Sequence, residues 1–264
     1  MTERRPRHPM TLQPVLFELP GMSDVNPRTV VYRDSAAGPL TLDVWAPASP
    51  SDGPRGAVVF VSGFPDPAFE ARVGCKVLEM AAYLSWARLV ACSGLVAITY
   101  TNREPAADLA AVLHHVHQHA AALGVDRDRI GIWACSGNVP TGLGALLNGA
   151  EVPVACAALC YGYMFGAGAA ATRIGFADPC AGRGVRDLRP GVPLLVVRAG
   201  GDQTPGLNAT VDSFVAESLS HDRPVTLINH AGAPHAFDLI DDHERTREVI
   251  RSVLRFLGTS LSAA

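Results

Sequence analysis

Arg129-Ile130-Gly131-Ile132-Trp133-Ala134-Cys135-Ser136-Gly137-Asn138 is the stretch whose reading decides the fold. An apolar run rich in β-formers ends abruptly in small residues around a serine, and a helix-compatible segment follows from Val139 to Leu147. The pattern is a strand, a tight turn carrying Ser136, and a helix. A nucleophile elbow of this kind pushes a serine Oγ out at the top of a parallel sheet. It also aims the positive end of the next helix at the place where an oxyanion would form. The usual G-x-S-x-G reads here as Ala134-Cys135-Ser136-Gly137-Asn138, with both outer glycines replaced. An ordinary strand-to-helix turn with a serine N-cap is the competing reading of these residues alone.

Two later segments favour the elbow. Leu194-Leu195-Val196-Val197 reads as a buried strand and runs into Arg198-Ala199-Gly200-Gly201-Asp202-Gln203-Thr204-Pro205, which places an acid in the loop after a strand. Val225-Thr226-Leu227-Ile228 reads as another strand and runs into His230-Ala231-Gly232-Ala233-Pro234-His235-Ala236-Phe237-Asp238. The chain order is therefore serine, aspartate, histidine: Ser136, Asp202, His235. Each residue type follows a strand, as expected where open α/β sheets keep their sites at the carboxyl ends of strands.

With these residues the chain resembles the α/β-hydrolase family, in its dienelactone-hydrolase-like and small carboxylesterase branches, from about Val30 to Leu257. Leu40-Thr41-Leu42-Asp43-Val44-Trp45-Ala46-Pro47 is similar to an early antiparallel strand of those esterases. Gly124-Val125-Asp126-Arg127-Asp128-Arg129-Ile130 is similar to the lead-in to their elbow strand, and Gly232-Ala233-Pro234-His235-Ala236-Phe237 to their histidine loop. Dienelactone hydrolases proper use a cysteine nucleophile; by register that position is Ser136, which directs the comparison to the esterases. The resemblance implies Ser136 as nucleophile, His235 as general base and then acid, and Asp202 as the group that orients the imidazole. It implies an oxyanion hole from the N–H groups of Gly137 and of Phe64, in the loop Ser62-Gly63-Phe64-Pro65. Pro65 has no N–H to offer. Gly63, giving that loop room, and Tyr161, just past a strand end, are candidates for contact with substrate. Tyr163 is as well suited to packing as to the pocket.

Composition bounds the alternatives. A chain of 264 residues with 48% hydrophobic and 18% charged residues is long and apolar enough for one large α/β domain. A net charge of −3 with no basic block gives no sign of nucleic acid or of a membrane surface. Six scattered cysteines without a CxxC pair suit a reduced, cytoplasmic protein, and the start of the chain lacks the apolar core of a secretory signal.

The pass along the chain predicts a Pro-rich strap or tail over 1–27 and a single catalytic domain over 28–264. The expected architecture is a mostly parallel, doubly wound sheet of about eight strands. The predicted helices include one from Glu70 to Cys92 and one from Ala106 to Leu123, and the predicted strands include Val152–Cys160. The Gly- and Ala-rich segment 162–190 is expected to form a short lid, too small for a cap domain.

Asp178 and Asp238 are the runners-up for the acid. Asp238 sits close to His235 in sequence, and Asp178 falls within the lid. Alternation along the strand turns Cys135 away from the face of Ser136. Asn138 is expected to bond backbone locally at the helix start. His114, His115, His117 and His119 crowd one helix, but no third ligand of suitable spacing accompanies the His115 and His119 pair, so no metal is expected. The expected function is cleavage of a small carboxylic ester or lactone through an acyl-enzyme, with no cofactor. The fold also supports C–C or amide cleavage and acyl transfer on the same triad, and a non-catalytic small-molecule binding protein is the alternative from another class. The oligomeric state is open, a homodimer included.

Overall fold

The computed structural model describes residues 6–49, 53–166 and 168–262. Its centre is an eight-stranded sheet in the order β1-β2-β4-β3-β5-β6-β7-β8. The hairpin β1 (Arg28–Arg33) and β2 (Leu40–Trp45) is antiparallel, and β2 also runs antiparallel to β4 (Val96–Tyr100). From there β3 (Arg55–Phe60), β5 (Val125–Cys135), β6 (Ala157–Cys160), β7 (Leu194–Ala199) and β8 (Val225–His230) are parallel neighbours. The mostly parallel, doubly wound sheet expected from the sequence is therefore present.

The helices are α1 (Asp66–Val73), α2 (Ala81–Cys92), α3 (Pro105–Gln118), α4 (Ala120–Leu123), α5 (Val139–Ala145), α6 (Gly168–Arg173), α7 (Leu207–Ser220), α8 (Phe237–Ile240) and α9 (Glu244–Ser260). Period-two alternation sends one set of strand side chains to each face. Val59, Ile98, Ile132, Leu159 and Val196 pack with Leu109, Leu143 and Phe214 of α3, α5 and α7. Val58, Phe60, Ala97, Trp133 and Val197 pack with Trp86 and Leu89 of α2 and Val253 and Leu257 of α9. Burial on both faces explains why the inner strands read as continuous apolar runs. Among the described residues no helix is long and apolar enough to cross a membrane.

Three sequence-based boundaries differ. The helix expected over Glu70–Cys92 is two helices, because Gly74 at φ 83° closes α1 in the left-handed conformation and a 3-10 turn, Val77–Glu79, precedes α2. The helix expected over Ala106–Leu123 breaks at His119, between α3 and α4. The strand expected over Val152–Cys160 begins only at Ala157. Pro153 has no N–H for a ladder, and pairing of the preceding residues with β5 is limited to Ala155 N–H to the Ile130 carbonyl and Ile132 N–H to the Cys156 carbonyl.

Strand order fixes where chemistry can occur. The chain passes from β3 outward to β4 and then back across to β5, so β3 and β5 lie side by side at the point where the winding reverses. The loop after β3, Ser62–Pro65, and the turn after β5 therefore face one another at the carboxyl edge.

Candidate active site

β5 ends at Cys135 in extended conformation, and the next residue, Ser136, has φ 54°. The left-handed region costs a residue with a Cβ roughly 1–2 kcal/mol and persists only where the surroundings enforce it. Four non-glycine residues have positive φ among those described; three of them, Ser136, Tyr161 and Ala236, line one cavity. Strain concentrated in this way marks a site rather than an ordinary capped turn.

Ser136 Oγ lies 2.7 Å from His235 Nε2, and His235 Nδ1 lies 2.6 Å from Asp202 Oδ2. Three loops, after β5, β7 and β8, thus converge on one hydrogen-bonded chain. With Nδ1–H donated to the carboxylate, Nε2 is left as the acceptor for the serine hydroxyl. The Asp202 side chain is fully buried, while His235 keeps one third of its surface exposed. Burial alone would push the Asp202 carboxyl up. The hydrogen bonds from Thr204, including its N–H at 2.8 Å, and from His235 outweigh it and hold the acid below the usual range. An anionic Asp202 is what stabilises an imidazolium when one forms.

The acid and histidine loops approach at a glycine. A Cβ on Gly201 would stand 2.4 Å from the Gly232 carbonyl oxygen, and its N–H donates to the Ala233 carbonyl at 2.8 Å. After β6, whose strand lies between the elbow strand β5 and the acid-loop strand β7, Tyr161 sets its ring edge-on to His235 with centroids 5.4 Å apart. Tyr161 thus lines the cavity as expected, whereas Tyr163 is buried and donates its hydroxyl to the Pro205 carbonyl.

Neither the Gly137 nor the Phe64 N–H is taken by an acceptor among the described residues. The Gly63 N–H is taken: it donates to Asn138 Oδ1 at 2.8 Å. The bond ties the loop after β3 to the elbow, and the loop is close-packed there: a Cβ on Gly63 would stand 2.8 Å from Thr141 Oγ1. Asn138, expected to bond backbone locally, instead reaches this distant loop and donates its amide to the Tyr83 hydroxyl at 2.8 Å. Tyr83 in turn donates to the Val61 carbonyl at 2.8 Å. The replacement of glycine by Asn138 is thus a clamp. At the other altered position, Ala134 is accommodated across the turn by Gly142, where a Cβ would come within 3.1 Å of the Ala134 methyl.

The segment after α6 covers this arrangement. Ala177 N–H donates to the Gly63 carbonyl at 2.8 Å, and the Phe176 ring meets the Phe64 ring edge-on at 5.0 Å. A Cβ on Gly137 would lie 2.5 Å from the Phe176 ring, so only glycine fits there. Asp178, a runner-up for the acid, accepts the Cys180 N–H and takes no part in the chain of bonds.

Asp238 does not orient His235 either. It is buried, with Oδ1 accepting the Tyr161 hydroxyl and Oδ2 the Trp86 indole N–H, both at 2.8 Å. Burial raises its carboxyl above the ordinary value against the pull of those bonds. Cys135 is buried beside Ser136, and burial pushes its thiol up to about 12, so it stays protonated. Of the helix histidines, His114 pairs with Glu151 at 3.1 Å, and the His115 and His119 rings lie tilted against one another with centroids 4.4 Å apart. Among the described residues no three histidine, cysteine or acidic side chains are grouped to hold a metal.

The three residues that the structure joins by hydrogen bonds, Ser136, His235 and Asp202, are readable from chain order and strand ends. Asn138, Tyr83 and Phe176 are not, since each acts on a loop far away in sequence and no local pattern reveals it.

No protein-family model matches the chain, and no curated protein sequence matches it. Solved structures do. The apo form of esterase 2 from Thermogutta terrifontis superposes with a TM-score of 0.68 at 21% identity, over 94% of this chain and 98% of that one. The same esterase with propionate bound gives 0.65 at 20% identity, over 93% and 98%. Esterase LipW from Mycobacterium marinum gives 0.69 at 15% identity, over 90% and 82%. Likeness at this level of identity is a likeness of fold: the chain has the α/β-hydrolase fold.

Proposed function

We propose that the protein is a serine hydrolase that cleaves small carboxylic esters or lactones through an acyl-enzyme. The observation that carries this reading is the unbroken chain Ser136 Oγ to His235 Nε2 at 2.7 Å and His235 Nδ1 to Asp202 Oδ2 at 2.6 Å, mounted on a strained serine. His235 takes the hydroxyl proton as Ser136 Oγ attacks the ester carbonyl, and Asp202 steadies the imidazolium. The N–H groups of Gly137 and Phe64 receive the oxyanion. His235 then protonates the departing alcohol. A water, deprotonated by the same imidazole, attacks the acyl-enzyme and releases the acid, restoring Ser136. A lactone follows the same steps with its alcohol still tethered.

The similar esterase from Thermogutta terrifontis has been solved with propionate and with butyrate bound, which supports short acyl groups here. The Asn138 clamp also removes the reason for reading a decayed binding protein, because the altered elbow position has a defined partner. Residues 28–264 act as one catalytic domain in this reading, with 1–27 as a strap and 162–190 as a short lid. A cytoplasmic setting suits the six free thiols.

Hydrolysis of p-nitrophenyl acetate and butyrate tests the proposal. Wild type turns both over, and Ser136→Ala and His235→Ala fall to the buffer rate. A folded wild type without turnover on any short ester contradicts it.

A further inference from the structure

The cavity that Ser136 and His235 help to line has a volume of about 140 Å³. Six rings wall it: Phe69, Tyr83, Trp86, Trp133, Tyr161 and Phe176. The polar heads of Tyr83, Trp86 and Tyr161 are spent inside the wall, Tyr83 on the Val61 carbonyl and the other two on Asp238. Asp238 thereby holds two rings at fixed angles. With both oxygens engaged and the group buried, it offers little to a cationic ligand. Met10 from the N-terminal segment and Phe176 from the segment after α6 complete the lining. An apolar cavity of ~150 Å³ is known to hold benzene and to stay dry otherwise. Aromatic walls add edge and face contacts that a ring can use and a linear chain cannot.

We propose that this cavity takes one compact, uncharged group of about benzene size, so that the preferred substrates are esters bearing an aryl, cycloalkyl or branched substituent rather than a linear chain of equal carbon number. The inference rests on the ester-hydrolase reading and names its substrate class. No new chemical step is involved. The substituent fills the cavity while the ester carbonyl lies at Ser136, and the same attack and release follow.

Two series of substrates test it, each followed by kcat/KM. The acyl series compares ethyl benzoate with ethyl heptanoate and ethyl phenylacetate with ethyl octanoate. The alcohol series compares benzyl acetate with heptyl acetate, cyclohexyl acetate with hexyl acetate, and 3,3-dimethylbutyl acetate with its cationic isostere acetylcholine. The expected result is a preference of about tenfold or more for the ring in one series, which also shows which half of the ester occupies the cavity, and for the neutral member of the isosteric pair. Equal rates for ring and linear esters in both series overturn the proposal and leave the hydrolase reading intact, as does a preference for acetylcholine.

A variant and a binding measurement keep the test independent of turnover. Ala82 lines the cavity, and Ala82→Leu fills part of it. Ring esters then lose about tenfold while ethyl acetate changes by less than about threefold. In Ser136→Ala, benzyl alcohol gives a saturable change in tryptophan fluorescence, since two of the three tryptophans line the cavity. Ala82→Leu in that background weakens it. Saturable binding without ester turnover in wild type would keep the cavity and overturn the hydrolase reading; no saturable change overturns the cavity.

Discussion

Asn138 Oδ1 accepts the Gly63 N–H at 2.8 Å, joining the turn that carries Ser136 to the loop that carries Phe64. An oxyanion hole drawn from two separate loops works only if their spacing is fixed before substrate arrives. Asn138 supplies that spacing with one side chain, and its amide is itself held by Tyr83. Asn138→Gly restores the usual motif residue but removes the clamp. The expected outcome is a fall in kcat of about tenfold or more with KM within about threefold, since ester binding does not need the hole as the transition state does. Steady-state kinetics check it, and a variant as active as wild type would show that the clamp is dispensable.

Phe176 lies against Gly137, where any Cβ would stand 2.5 Å from its ring. Gly137→Ala therefore displaces either the covering segment or the elbow, and kcat/KM falls by about tenfold or more. Phe176→Ala in the same chain recovers part of that loss because the methyl then has space. A double-mutant cycle measures the coupling. Additive losses would mean that the two residues act separately.

Much of the site was legible because its chemistry is written at strand ends. Ser136, Asp202 and His235 each follow an apolar run, and their order along the chain matches one fold among several that use the same three groups. Gly137 and Phe64 followed from the same layout. What was not legible depends on contacts across the sheet edge. Asn138 looked like a local cap because nothing in the sequence brings Gly63 to it. The long helix read over Glu70–Cys92 failed for a different reason: the apolar spacing continues through Gly74, and the left-handed turn there interrupts the helix without interrupting the pattern.

The Asp202 carboxyl is held below its ordinary range by its bonds to Thr204 and His235 against the opposing effect of burial. It therefore stays anionic at neutral pH, as its proposed role beside His235 requires. Asp202→Asn, which presents the wrong hydrogen-bonding partner to the imidazole, is expected to lose about 10³–10⁴ in kcat while remaining folded. A near wild-type Asp202→Asn would contradict the assigned roles.

Asp66 offers a test of stability. It is 4% exposed, and burial pushes its carboxyl from 3.8 to about 6, against the hydrogen bond that its Oδ2 accepts from the Asn102 N–H. The folded state thus binds more protons than the unfolded state between those two values, so this group's contribution to stability falls as pH rises through that window. Asp66→Asn keeps an acceptor for the Asn102 N–H and carries no charge. Thermal unfolding should show Tm raised by a few °C at about pH 7.5 and little gain at about pH 4.5. An equal change at both values would mean that the buried charge is not the cause.

The central claim is that Ser136, and not its buried neighbour Cys135, is the attacking residue. The most direct measurement is labelling by a fluorophosphonate, with the modified residue located by mass spectrometry and activity followed in parallel. Wild type is expected to take up one equivalent on Ser136 and to lose activity in proportion. Cys135→Ala should label and turn over nearly as wild type does, and Ser136→Ala should do neither. Labelling and turnover that survive in Ser136→Ala but vanish in Cys135→Ala, or a folded wild type that never labels, would contradict it.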